Sequence, residues 1–190
     1  MKASLERLAR RADAEGLIDV AYANVDSPFG PLLIAATGRG LVRVNLPNYD
    51  PEDALEELSA RVSPRILEAP ARLDDARREF DLYFTGKLTA FDLPIDWRLT
   101  GGFSGRVQRA INRIPYGQTR SYADVARSAG NERAVRAAGT ACGSNPIPIV
   151  VPCHRVLRSG GGLGGYGGGL PMKEELLRLE GVLDQTSRRR

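Results

Sequence analysis

Residues 144–157 read SNPIPIVVPCHRVL, and the rest of the chain is best understood outward from them. Within this run Cys153, one of two cysteines, is followed directly by His154, the only histidine in 190 residues. A soft nucleophile thus stands beside the one side chain that titrates near neutral pH. Pro146 and Pro148 cannot continue a helix and bias their neighbours toward extended backbone. Ile147, Ile149, Val150 and Val151 then predict a buried strand, with Pro152 ending it next to the thiol. On a strand, neighbouring side chains point to opposite faces. His154 therefore needs a bridging water or a local bend to reach Cys153. A papain-like hydrolase, a redox thiol with Cys142 as partner, and a packed cysteine beside a core histidine all remain open from these residues alone.

Downstream lies a glycine-rich stretch, GGGLGGYGGG at 160–169. It lacks the lysine and hydroxyl residues of a phosphate loop, and Tyr166 near its centre suggests a loop packed onto something rather than a free linker. PMKEELLRLEG follows as a helix, with Pro171 in its first turn and Gly181 past its end. Glu180 falls at the last turn, an unfavourable place for a carboxylate. That cost points to a specific partner, and His154 is the candidate.

Upstream, Phe103, Val107, Ala110, Ile111 and Ile114 mark a helix over about 103–114. IPYGQTRSYADVA then gives a turn and a helix over about 121–129 with Ser121 as cap. After Gly130-Asn131, a helix over about 132–142 carries Arg133 and Arg136 among small residues. Helix, turn, helix outlines a helix-turn-helix, a shape shared with many αα-hairpins.

The totals bound the function. Net charge is +4, but residues 1–97 hold 12 Lys/Arg against 17 Asp/Glu, whereas residues 98–190 hold 15 against 6. The C-terminal half thus reads as facing a polyanion. Two cysteines and one histidine cannot close a four-ligand zinc site. No apolar run approaches a membrane span, and the charged N-terminus lacks the apolar middle of a secretory signal. The expectation is a cytoplasmic protein with reduced thiols.

In the N-terminal half, residues 2–15 predict a short charged helix with Leu5 and Leu8 on one face. Apolar runs at 19–25, 31–37 and 40–46, separated by SPFG and TGRG, predict a small antiparallel sheet. Helices are expected over 52–62 and 72–84, and a further strand over about 89–93. Four segments result: an extension over 1–17, an α/β domain over 18–97, a helical domain carrying the thiol over 98–184, and a basic tail over 185–190.

PCHRV at 152–156, preceded by SNPIPIV and RAAGTACG, resembles the O6-alkylguanine-DNA alkyltransferases, the suicidal DNA-repair methyltransferases. YFTGKLTAFDLPID, SYADVA, RSAGNERAVRAAG and GGYGGGLPMKEELLRLEG follow the same family pattern in order. The resemblance implies an α/β fold: a ribonuclease H-like N-terminal domain with a small antiparallel sheet, and a mostly helical C-terminal domain with a helix-turn-helix. It implies double-stranded DNA containing O6-alkylguanine as partner, O4-alkylthymine as a further substrate to test, a monomer whose cooperativity on DNA stays open, and no cofactor or metal.

The same resemblance implies residue roles. Cys153 would accept the alkyl group and keep it. His154 would deprotonate it through a water, held by Glu180. Tyr122 would donate to N3 of the flipped base, and Arg136 would fill the gap in the duplex. Ser121, Arg133, Ala137 and Thr140 would share the DNA face, which enters the minor groove. Asn145 would hinge the recognition helix to the thiol. The carbonyls of Cys153 and Val156 would accept from the guanine amino group, and Tyr166, Gly167 and Gly168 would wall the pocket. Departures are Gln108, where many members carry tryptophan, and Gly167, where some carry serine. The four-cysteine zinc domain of the adaptive-response regulator is missing. The contrasting class is a non-catalytic protein that binds alkylated bases and recruits other repair factors; such proteins lack the cysteine.

Overall fold

The computed structural model describes residues 2–183, with side chains from Arg7 onward. The expected basic tail over 185–190 and the side chain of Leu5 lie outside the described residues. Two compact units form: Met1–Leu82 with Asp92–Leu99, and Tyr83–Phe91 with Thr100–Arg190. No helix among the described residues is long and apolar enough to cross a membrane.

The first unit begins with α1 (Lys2–Ala14) and then a sheet of β1 (Val20–Val25), β2 (Leu32–Thr37), β3 (Gly40–Asn45) and β4 (Ile66–Glu68), in the order β3-β2-β1-β4. The β1–β2 and β2–β3 pairs are antiparallel, as turn-separated apolar runs require, whereas β4 joins β1 in parallel after α2 (Pro51–Arg61). Asp50 caps α2 through a 2.9 Å bond from Glu52 N–H, and Pro51 takes the first helical position. Val20, Leu33, Ala35, Val42 and Leu58 form the core under the sheet. Gly40 has φ 128°, and a Cβ there would sit 2.1 Å from the Pro94 carbonyl oxygen, so no other residue fits the turn.

The strand expected over 89–93 does not form. Instead residues 94–96 meet the sheet at a bridge between Leu41 and Ile95, with Leu41 N–H to Pro94 O at 2.8 Å and Asp96 N–H to Leu41 O at 2.8 Å. Pro94, which has no N–H to give, sits in that short pairing, and the ladder goes no further. The helix expected over 72–84 resolves into a 3-10 turn, Pro70–Leu73, followed by α3 (Asp74–Phe84).

The second unit holds α4 (Gly102–Ile111), β5 (Arg120–Ser121), α5 (Tyr122–Ser128), α6 (Val135–Gly143), β6 (Val156–Leu157) and α7 (Gly169–Leu179). Helices α4, α5 and α6 pack on one another, and β5 pairs with β6 in parallel. Ser121 caps α5 in a capping box: its hydroxyl accepts from Asp124 N–H at 3.1 Å, while the Asp124 carboxylate accepts from Ser121 N–H at 3.1 Å. Helix α6 starts three residues later than the spacing suggests. Asn131–Ala134 forms a turn closed by Ala134 N–H to Asn131 O at 3.1 Å. Arg133 therefore lies before α6 rather than on it.

Candidate active site

The apolar run before the thiol is a tight turn, not the strand its β-branched residues predict. Asn145 makes the difference. Its Oδ1 accepts from Ile147 N–H at 3.0 Å, an Asx turn, and its Nδ2 donates to Val151 O at 2.7 Å. Val151 N–H closes back onto Ile147 O at 2.9 Å, and Ile149 is held at φ 75°. A buried β-branched residue in the left-handed region costs on the order of 1–3 kcal/mol and persists only where its surroundings fix it. Cys153 then opens a 3-10 turn, Cys153–Arg155. On that turn Cys153 and His154 are not held to opposite faces as they would be on a strand.

The same Asn145 Nδ2 lies 3.2 Å from Cys153 Sγ, so one amide both pins the turn and donates to the sulfur. Cys153 is buried, and burial pushes its thiol pKa up, with the Asn145 hydrogen bond and the nearby Lys173 ammonium acting against it. Cys142 is pushed up to about 12, mainly by burial. Both thiols are protonated at neutral pH in the unperturbed site.

His154 is fully buried. Its Nε2 meets Glu180 Oε1 at 2.9 Å, while Nδ1 has no hydrogen-bond partner among the described residues. Burial pulls the imidazole pKa below its ordinary value, opposed by the hydrogen bond and charge of Glu180. A neutral ring then carries its proton on Nε2, toward the carboxylate, and leaves Nδ1 as the acceptor. Glu180 is the C-cap of α7. Burial alone would raise its carboxyl, but hydrogen bonds from His154 and Arg155, with their charges, hold it down at about 2. The unfavourable helix-end position is thus compensated by the partner expected from sequence and by two that were not. Arg155 donates to both carboxylate oxygens at 2.8 Å, and Tyr83 donates to Oε1 at 2.7 Å.

Lys173 is a further residue the sequence reading missed. It is fully buried on α7, and its Nζ donates to the carbonyls of Val156 at 2.6 Å, Leu163 at 2.5 Å and Gly165 at 3.4 Å. Burial brings its pKa down to about 8. The signal was present: Lys173 shares a helical stripe with Leu176, Leu177 and Glu180, so a charged residue falls on the apolar face. The expected acceptor at Val156 already receives Lys173, and a carbonyl retains a second lone pair for another donor.

Lys173 therefore ties down the glycine-rich segment. Gly164 in it has φ 69°, and a Cβ there would lie 2.7 Å from the Tyr122 hydroxyl. Glycine lets this loop lie directly on Tyr122, whose other side faces Gly139 of α6. Burial raises the Tyr122 pKa, with the two cysteines adding to the rise. Tyr166 brings its ring edge-on to His154, with centroids 6.3 Å apart. Gly167 lies in the same loop, and Gly168 is the N-cap of α7.

Among the expected DNA-face residues, Arg133, Arg136, Ala137 and Thr140 are exposed, while Ala138, Ala141 and Cys142 turn inward. Ser121 is occupied by its cap, its hydroxyl also donating to Asp124 at 2.7 Å. Gln108 is fully buried and donates through Nε2 to Ala141 O, so it packs α4 onto the end of α6.

The unit with the buried thiol, the carboxylate-anchored histidine and the arginine-bearing exposed helix can be set beside known proteins. Residues 102–182 match the family model described as 6-O-methylguanine DNA methyltransferase, DNA binding domain, and residues 20–97 match its ribonuclease-like domain. The methylated-DNA–protein-cysteine methyltransferase of Mycobacterium tuberculosis is 44% identical over 159 residues, covering 84% of this chain and 91% of that protein. The protein of the same name from Methanosarcina acetivorans is 40% identical over 160 residues, covering 84% and 97%. The crystal structure of Mycobacterium tuberculosis OGT in complex with DNA superposes with a TM-score of 0.74 at 40% identity, covering 84% of this chain and 92% of that one. With both of its parts matched in order and such identity along most of its length, this chain belongs to the 6-O-methylguanine DNA methyltransferase family.

Proposed function

We propose that this protein repairs alkylated DNA directly, moving the alkyl group from O6 of guanine onto Cys153 in a single turnover. DNA is its partner, and the exposed face of α6 with Arg136 is the surface that meets it. O6 lies within the base stack, so the nucleotide must leave the duplex to reach a thiol, at roughly a few kcal/mol of unstacking. Arg136 takes the place of the extruded base. Tyr166, Gly167 and Gly168 wall the pocket that receives it.

The chemistry follows from the hydrogen bonds around the thiol. Cys153 gives its proton through a water to Nδ1 of His154, the buried nitrogen left over once Nε2 faces Glu180. The imidazolium that forms is stabilised by the Glu180 carboxylate. Asn145 and Lys173 stabilise the thiolate. The sulfur attacks the alkyl carbon in line, the S–C bond forms, and the O6–C bond breaks with its electron pair going to guanine. Tyr122 hydrogen-bonds N3 of the departing base, which takes up a proton from water. The thioether has no leaving group to restore the thiol, so the protein is consumed.

The observation that carries this reading is the buried Cys153, which accepts from Asn145 and is followed in the chain by a Glu180-anchored histidine. Intact-mass analysis after mixing with a duplex holding one O6-methylguanine should find one methyl per protein, on Cys153, and none for Cys153→Ala. Wild-type protein that binds the lesion but stays unmodified would overturn the transfer and favour a recruiting role.

A further inference from the structure

The proposed relay uses one donor on Glu180 Oε1, but that oxygen receives three. His154 Nε2 lies at 2.9 Å, Arg155 Nη2 at 2.8 Å and Tyr83 Oη at 2.7 Å. Arg155 Nε approaches the other oxygen at 2.8 Å. A carboxylate oxygen offers about two lone-pair directions, so three donors share its charge rather than each receiving it in full. Tyr83 is 1% exposed, and its ring is fixed by Phe84, Phe91 and Tyr116 at centroid distances of 5.4, 5.1 and 6.3 Å. The hydroxyl cannot readily swing away from the carboxylate.

We infer that Tyr83 is a positioning residue for alkyl transfer: by donating to the oxygen that also holds His154, it withdraws part of the carboxylate charge and sets how strongly His154 accepts the thiol proton. The inference rests on the reading that His154 is the base for Cys153. The other groups facing this pair are Arg155 on the same turn, Tyr116 under the Arg155 guanidinium at 5.8 Å, Lys173 from α7 and Tyr166 from the glycine-rich loop. Removing the Tyr83 hydroxyl leaves all of them in place.

The chain has a single histidine, so its imidazole resonances titrate in NMR spectra of the full-length protein without further assignment. Two variants move the hydroxyl in opposite directions. Tyr83→Phe deletes the donor, returns charge to Oε1, and should raise the His154 midpoint by roughly half a pH unit, the worth of a net hydrogen bond of ordinary strength. Replacing Tyr83 by 3-fluorotyrosine keeps the hydroxyl, makes it a stronger donor, and should lower the midpoint. The acid limb of single-turnover methyl transfer should move the same way in each. A midpoint that stays put, or shifts in the same direction in both, overturns the inference. Should Tyr83→Phe fail to fold, the fluorinated protein decides alone, because it keeps every contact of the ring. Shifted midpoints in a protein that transfers no methyl group would retain the Tyr83 role and sink the transfer.

Discussion

The two units bury polar groups on different terms. In the first, the core is mostly aliphatic, and its buried polar side chains among the described residues are Thr37, Asn45 and one ionisable group, Asp96; Asp96 accepts from Thr37 at 2.6 Å and pairs with the partly exposed Arg98 at 2.7 Å where residues 92–99 return to the sheet. The second unit buries Gln108, His154, Arg155, Lys173 and Glu180, four of them ionisable. Burying ions is expensive, and pairing them at best roughly offsets the cost. A unit that only had to be stable would fill that space with leucine. The difference teaches that stability and chemistry are divided between the units, and substitutions in each should read out differently.

Glu180→Gln should produce the largest effect, because it strikes both properties of the second unit. Arg155 loses its buried counter-ion, a change worth about 3–5 kcal/mol of stability. His154 loses the charge that stabilises its protonated form, and methyl transfer should slow by about a hundredfold or more. Single-turnover kinetics and denaturant unfolding on the same sample measure both. The acid dependence gives a finer signature. Glu180 titrates at about 2 in the fold against an ordinary 4.5, so its stabilisation is complete above the unfolded value and is lost as pH falls toward 2. That window is worth about 3 kcal/mol. Wild type should lose it between pH 4.5 and 2, and Glu180→Gln should not; parallel stability curves would contradict the ion network.

Leu58→Ala should come next and behave in the opposite way. Leu58 is fully buried in the core of the first unit, and truncation should cost about 2–5 kcal/mol. Methyl transfer per folded molecule should remain that of the wild type. A proportionate loss of transfer rate in fully folded protein would break the division between the units.

How much of this division was legible in the sequence depends on what a pattern can encode. The hairpins of β1, β2 and β3 were legible because short apolar runs with turn residues between them have few other solutions. Strand β4 was not: two half-buried residues and an exposed one pair with β1 across more than forty positions, and no local signal announces a non-local ladder. Residues 147–151 carry the composition of a strand, yet the Asn145 side chain and two prolines impose a turn with Ile149 in the left-handed region. In the site, Cys153, His154 and Glu180 could be read because each was chemically unusual in its place. Arg155 and Tyr83 could not, since a sequence does not distinguish a buried arginine or a bonded phenol from an ordinary one. Lys173 could have been found from its position on the apolar stripe of α7.

Arg136→Ala tests the exposed face rather than the buried network and should be selective. With the substitution, repair of an O6-methylguanine duplex should fall by about tenfold or more, since Arg136 is proposed to offset part of the unstacking cost of roughly a few kcal/mol. Reaction with the free O6-alkylated base, which needs no flipping, should change little. Equal losses on both substrates would remove Arg136 from the finger role and return it to general electrostatics.

The smallest effect is expected at Ser121, where two roles compete for one hydroxyl. The family resemblance puts Ser121 on the DNA face, yet its oxygen accepts from Asp124 N–H at 3.1 Å and its proton goes to the Asp124 carboxylate at 2.7 Å. A hydroxyl so engaged has little left to give a phosphate. Ser121→Ala should therefore cost about 1 kcal/mol of stability, and Ser121→Gly only a few tenths more than wild type. Ser121→Asp separates the roles differently: its carboxylate cannot donate to Asp124 as the hydroxyl does and faces that residue's charge, so it should be less stable than wild type despite the capping preference of aspartate, and it adds a charge that DNA repels. If Ser121 borders the bound duplex, the folded aspartate variant should be weaker on DNA, with the deficit shrinking as salt is added. If it is a cap alone and stands away from the duplex, the DNA affinity of the folded variant should be that of the wild type, and the DNA face begins at the turn carrying Arg133.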